Sequence, residues 1–320
     1  MKNLFLSGLL ALLARMSLAI KDPRPRAKVQ ALALGFLCGE KPKTYTSALS
    51  WLDRRHEDLS DDYRLGSQTQ WTCSDLFAPL LAEAVALTPD PIGPIFAGQD
   101  DTLVRKSGKR IPGVAYARDP LSPPFQVNLV LGQRFLQTSV MIKAQDPARP
   151  WRSIPVSFVH TPPLKAPARA TPEQRAAVKE ARKKQNLSTA AVAQLYRLRA
   201  QIDALHNGLG RLLIDAVDGS FANKTFLRNI PDRTVVVARI RKNAKLRRYL
   251  PPDQRSGPRK YGEQLPTPEE LLRDESIPWQ ELRVFVARKI HTLQYKVIDL
   301  VCWPKATKDQ PLRLIIRRCC

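Results

Sequence analysis

Two acidic clusters stand where apolar runs stop. The first lies in PIFAGQDDTLVRKSGKRIPG, residues 94–113, and the second in LLIDAVDGSFANKTFL, residues 212–227. Each reads as a short buried strand ending in a carboxylate, a hard oxygen ligand of the kind Mg²⁺ prefers. If Asp101 and Asp218 fall on neighbouring parallel strands, both reach one sheet edge, the layout of a metal-dependent phosphoryl-transfer site. Strand alternation leaves Asp100 and Asp215 as the alternatives in each cluster. Asp218-Gly219 is also a hairpin signal, but Phe221, Phe226 and Leu227 follow it at helical spacing and lack strand alternation.

Cations flank both clusters. Lys106, Lys109 and Arg110 follow the first, either gripping phosphate or standing as solvated loop charges. The stretch RTVVVARIRKNAKLRRYL, residues 233–250, holds seven basic residues and no acid. A strand delivering Arg239, Arg241, Lys242, Lys245, Arg247 and Arg248 from its far end suits a phosphate backbone. In GPRKYGEQLPTPEELLRD, residues 257–274, Arg259 and Lys260 sit in a Gly/Pro loop before a helix capped at Thr267. The whole chain has 52 Lys and Arg against 29 Asp and Glu, a net charge of +23. Such an excess favours a polyanion, and the aromatic residues among the basic runs suit nucleic acid better than lipid.

The elements that must position these groups change along the chain. Residues 1–90 read as helical, with N-caps at Thr46, Ser47 and Ser74, and carry Arg24, Arg26, Lys28, Lys41, Lys43, Arg54 and Arg55. That basic face is read equally as a DNA contact or as a solvated surface. The N-terminal run from Leu4 to Ala14 has a signal-peptide alternative, but Arg15 interrupts it and its leucines fall at the spacing of a buried amphipathic helix. No segment reaches a membrane-spanning length. TPDPIGP, residues 88–94, marks a boundary. Strands are expected at 95–97, 113–117, 126–131, 137–142 and 154–159, then an exposed basic helix within 161–184 and an apolar-faced helix from Leu187 to about Asn207. A strand at 211–217, a short helix at 223–229 and strands at 283–289, 292–302 and 312–317 complete the reading. Five cysteines and four histidines without ligand spacing argue against structural zinc and for a reducing compartment.

The series DDTLVRKSGKRIPGV, DAVDGSFANKTFLRNIP, VVARIRKNAKL and GPRKYGEQLP, in that order, resembles the DDE transposases of bacterial insertion sequences from about residue 30 onward. The resemblance implies an α/β fold: an RNase H-like mixed sheet with helices at 91–250, an all-α domain at 1–90 before it that is a candidate for DNA binding, and a β-rich insertion at 251–320 after it. It implies that Asp101 and Asp218 are catalytic metal ligands for Mg²⁺, with Mn²⁺ as a substitute. The family's third acid is a glutamate on a later helix, near a tyrosine and an arginine. Glu269, Glu270 and Glu281 are the nearest in this chain and read as surface residues, so the resemblance implies a truncated, impaired enzyme. Its implied partner is double-stranded DNA, element ends and target, with no membrane. Members often act as dimers, and the implied setting is the bacterial cytoplasm and nucleoid. Two other classes stand beside this one. A non-catalytic DNA-binding protein or inhibitor of the same fold would bind without cleaving, and an unrelated RNA-binding or ribosome-associated protein would hold Asp101 and Asp218 far apart.

Overall fold

The computed structural model describes residues 4–39, 44–67, 71–88, 90–119, 121–123, 125–143, 151–256, 258, 260–286, 289–308 and 310–318. Five helices open the chain: α1 (Leu4–Met16), α2 (Pro23–Cys38), α3 (Tyr45–Trp51), α4 (Ser60–Ser67) and α5 (Cys73–Ala86). The caps stand two residues earlier than the sequence suggests. Thr44 accepts the amide of Ser47 at 3.1 Å, and Thr72 forms a capping box with Asp75, because a cap must precede by three the amide it satisfies. The spacing in α1 does make a helix, but not a buried one: Phe5 is 79 % exposed, with Leu6 and Leu10 also exposed.

Several cations of this helical segment are committed to its own structure. Arg54 makes a two-pronged pair with the buried Asp62 at 2.9 and 3.0 Å. Arg26 donates to the carbonyls of Ile20 and Lys21, and Lys28 lies 3.4 Å from Asp61. Lys41 and Lys43 fall outside the described residues.

The central sheet is built from β1 (Ile95–Arg105), β2 (Ala115–Arg118), β3 (Leu129–Ile142), β4 (Arg152–His160), β5 (Leu213–Val217) and β6 (Thr234–Ala238). The runs expected as separate strands at 126–131 and 137–142 join into the single β3, since the residues between them stay paired to β1 from Gly132 to Met141. Spatially, β4, β3, β1, β5 and β6 follow one another, and β2 pairs with the other end of β3. β1 is antiparallel to β3 and parallel to β5, which is parallel to β6. This is the mixed α/β sheet of the RNase H-like type.

Between β4 and β5 run α6 (Pro172–Lys184) and α7 (Leu187–Asp203). The α7 stripe of Ala191, Leu195, Leu198 and Ile202 meets Ile95, Ala97, Leu136, Val140 and Leu213 from the sheet, and Leu81, Ala84 and Val85 of α5 join the same core. Burial of such side chains stabilises by about 1.5–3 kcal/mol each and fixes the strand register. No residue of α6 is buried. On the opposite sheet face Val235 and Val237 are about half exposed.

Beyond β5, α8 (Lys224–Leu227) packs Phe226 and the preceding Phe221 into the core with no exposure. The remaining chain forms β7 (Arg247–Arg248), α9 (Pro268–Arg273), β8 (Gln280–Val286), β9 (Lys289–Cys302), α10 (Pro304–Thr307) and β10 (Leu312–Arg317). β7, β8 and β10 all pair antiparallel with β9, and α9 is capped at Thr267 as its sequence predicts. Leu271 of α9, Leu246, Val301, Leu314 and Ile316 form a separate core here.

Candidate active site

Asp101 lies within β1 and Asp218 stands one residue past β5. Gln99 is level with Val217 in the parallel register, so Asp218 is level with Asp100, one rung short of Asp101. The sheet thus brings the two acidic clusters to the same end of adjacent parallel strands. Asp100, Asp101 and Asp218 border one groove of about 400 Å³, with Gln99, Gln137, Ser139 and Ser153 among its other polar walls.

Alternation sorts the neighbouring acids. Asp215 follows the inward pattern of Leu213 and Val217 and has no exposure, so it is not a groove carboxylate. It accepts a hydrogen bond from Gln99 Nε2 at 2.9 Å, and burial pushes it up to about 7. Asp100 is exposed and uses Oδ1 to accept the Asp101 amide at 2.9 Å.

The Asp101 side chain is 24 % exposed, and its carboxylate lies 3.3 Å from Arg134 Nε on β3. Burial raises its pKa; Arg134 opposes that rise, and the charges of Asp100 and Asp218 add to it. Three carboxylates along one groove repel one another, a field that a divalent cation relieves, and their oxygens are the donors a hard cation takes. Among the described residues, no group of three acids, histidines or cysteines converges to hold a metal ion.

The three glutamates nearest in sequence to a third acid are occupied elsewhere. Glu269 pairs with Lys242 and Arg273, Glu270 closes the capping box of α9, and Glu281 accepts from Gln294 at 3.0 Å. None lines the groove.

The predicted cations surround this end of the sheet to different degrees. Lys106, Lys109 and Arg110 follow β1 directly, with Lys109 and Arg110 exposed. β6 ends beside β5, Val217 level with Ala238, so Arg239 emerges level with Asp218, and Arg241 and Lys245 follow it, all three exposed. Contact is close: a Cβ on Gly219 would stand 3.2 Å from the Arg239 carbonyl. The basic run is not wholly uncompensated, since Lys242 lies 3.1 Å from Glu269 and Arg248 lies 3.4 Å from Glu263. Lys260 is exposed, and Arg259 lies outside the described residues.

Sequence reading missed Arg134, Gln99 and the serines of the groove. Gln99 and Gln137 sit at inconspicuous polar positions in apolar strands, and only the cross-strand register reveals their neighbours. The Leu103–Arg134 and Asp101–Leu136 pairings put Arg134 diagonally beside Asp101.

The family model described as DDE superfamily endonuclease matches residues 16–309 of the chain. No curated protein matches it. No helix of the described residues is long and apolar enough to cross a membrane.

Proposed function

Starting from a chain that belongs to the DDE superfamily endonucleases, we propose that it is a transposase-type DNA nuclease and strand transferase whose acting carboxylates are Asp101 and Asp218. The observation that carries this reading is the sharing of one groove by these two acids at the same end of β1 and β5. Family members generally use divalent metals, and here Asp101 and Asp218 would hold Mg²⁺, or Mn²⁺ in its place. A bound ion of this kind supplies positive charge to the attacking and leaving oxygens of an in-line displacement at a DNA phosphate. Arg134 opposes the rise in the Asp101 pKa that burial and its acidic neighbours cause. Arg239, Arg241 and Lys245 receive the phosphate backbone on the Asp218 side, and Lys106, Lys109 and Arg110 receive it beyond β1.

In this proposal residues 1–90 form a helical DNA-binding part, 91–250 the catalytic core and 251–320 a β-rich insertion. A second reading rests on the lack of a third converging acid among the described residues: a DNA-binding protein of the same fold that does not cleave. Nicking of DNA by the purified chain with Mg²⁺ or Mn²⁺, beside Asp101→Ala and Asp218→Ala, separates the two. Cleavage lost in both variants supports the nuclease. Salt-sensitive binding without cleavage by the parent chain supports the binder, and cleavage that survives both substitutions rules out this pair.

A further inference from the structure

A second and larger cleft, of about 810 Å³, opens beside Asp101 between β2, the ends of β3 and β4, and the α6–α7 corner. Its apolar wall includes Leu103, Val159 and Leu187, and its cations are Arg118, Arg134, Arg182 and Lys184. Among the described residues no acid lines it. Arg134 belongs to both sites, since it borders this cleft while its Nε lies 3.3 Å from the Asp101 carboxylate.

His160 and the start of α7 line the same space. The Nε2 atom of His160 is buried with no hydrogen-bond partner among the described residues, and its ring leans on Phe135 with centroids 5.0 Å apart. The first turn of the 17-residue α7 also opens here through Asn186 and Thr189, bringing the partial positive charge of a helix start. The backbone makes room for the imidazole at Gly113, whose φ is +73° and where a Cβ would stand 2.2 Å from His160 Cε1.

We propose that this cleft receives one unpaired nucleotide of the bound DNA, next to the phosphate held at Asp101 and Asp218; the inference rests on that assignment of the acting pair. The volume falls within the roughly 300–1,000 Å³ of sites that enclose a small organic ligand. A nucleotide needs two things at once: cations for its phosphate and apolar walls for the faces of its base. The cleft presents both, whereas a phosphate alone has no use for the apolar wall. A base held in a duplex stack cannot enter, so the nucleotide must be unpaired. The same occupant gives a role to the basic helix α6, none of whose residues is buried, because its last turn supplies Arg182 and Lys184 to the cleft rim.

The test needs no cleavage. Affinity of the full-length chain is measured in EDTA for a flush duplex and for the same duplex carrying a single unpaired 2-aminopurine nucleotide at its 3′ or 5′ end. Binding roughly tenfold tighter to one overhang, with a change in 2-aminopurine fluorescence, is expected from enclosure of a base. Ala117→Phe, which fills the cleft from β2, erases that preference; binding of the flush duplex reports that the variant is folded. Equal affinity for flush and overhanging DNA overturns the proposal, as does a preference that survives Ala117→Phe. Inorganic phosphate that competes with the overhang as well as a deoxynucleoside monophosphate does overturns it too. Asp101→Asn keeps the overhang preference while losing cleavage. If that variant still cleaves, the assignment of the acting pair fails, and the overhang measurement still decides the cleft.

Discussion

Gln99 Nε2 lies 2.9 Å from Asp215 Oδ2 and ties β1 to β5 two residues before Asp101 and three before Asp218. Neither Asp215 Oδ1 nor Gln99 Oε1 has a hydrogen-bond partner among the described residues. A proton on Asp215 makes the side chain a neutral acid, which costs less to bury than a carboxylate and adds a donor to the pair. Burial thus favours the protonated acid, whereas the Gln99 hydrogen bond favours the carboxylate.

Its pH dependence follows from the direction of the shift. Burial lifts Asp215 from 3.8 to about 7, so between those values the folded chain holds a proton that the unfolded chain has released. Stability from this group is full below the unfolded value, falls as pH rises through about 7, and is level above that. Asp215→Asn does not titrate and offers its own amide to Gln99. Its stability relative to the parent chain is expected to grow from about pH 5 to about pH 8, by at most about 3 kcal/mol. Urea unfolding of both proteins across that range checks it, and a pH-independent difference overturns it. Asp215→Leu leaves Gln99 without a partner and costs about 1–3 kcal/mol.

Arg134 is expected to set the proton affinity of Asp101. Its positive charge is the influence that lowers the Asp101 pKa against burial, so Arg134→Ala raises that pKa further and Arg134→Lys restores part of the difference. Carboxyl NMR titration of the metal-free protein reads this directly. An unchanged or lowered Asp101 midpoint in Arg134→Ala removes Arg134 from the site's electrostatics.

Arg239, Arg241 and Lys245 leave β6 on the Asp218 side without an ion pair among the described residues. Each substitution by Ala is expected to weaken DNA binding similarly across sequences and to reduce the slope of log affinity against log salt by about 1. Lys242, paired with Glu269, is expected to contribute less. Fluorescence anisotropy at several salt concentrations distinguishes them, and equal slopes for parent and variants would mean that DNA binds elsewhere.

Lys296 is wholly buried in the second sheet, donating to the carbonyls of Leu271, Leu272 and Asp274 at 3.2, 3.2 and 2.5 Å and lying 4.5 Å from the centre of the Trp279 ring. Those carbonyls end α9, where no further helical amide serves them. Lys296→Met is expected to lose about 2–4 kcal/mol, since it leaves several acceptors without their donor. Chemical denaturation followed by tryptophan fluorescence measures it; a loss within about 0.5 kcal/mol would make the ammonium dispensable.

Much of the fold was legible because local chemistry fixes it. The α7 stripe from Ala191 to Ile202 has a period only a helix can bury, Thr267 with Glu270 writes its own cap, and the apolar runs before Asp101 and Asp218 read as strands. The long β3 was not legible, because Gly132 and its neighbours look like a break until β1 pairs with them. The exposure of α1 was hidden for a similar reason: periodicity shows that a helix has an apolar face, and only its neighbours determine whether that face is covered.

The sequence by itself determined the chemistry on offer, namely two acidic clusters at strand ends and an excess of cations placed after them. It also determined the family, through motifs in a fixed order. The tertiary structure alone decided which acids meet. Setting Gln99 level with Val217 carries Asp101 and Asp218 into one groove and turns Asp215 into the core. It placed Arg134 beside Asp101 and opened the cleft next to them. The physical reason is that a strand's pattern states which residues share a face, whereas the register between strands is set by how distant side chains pack together.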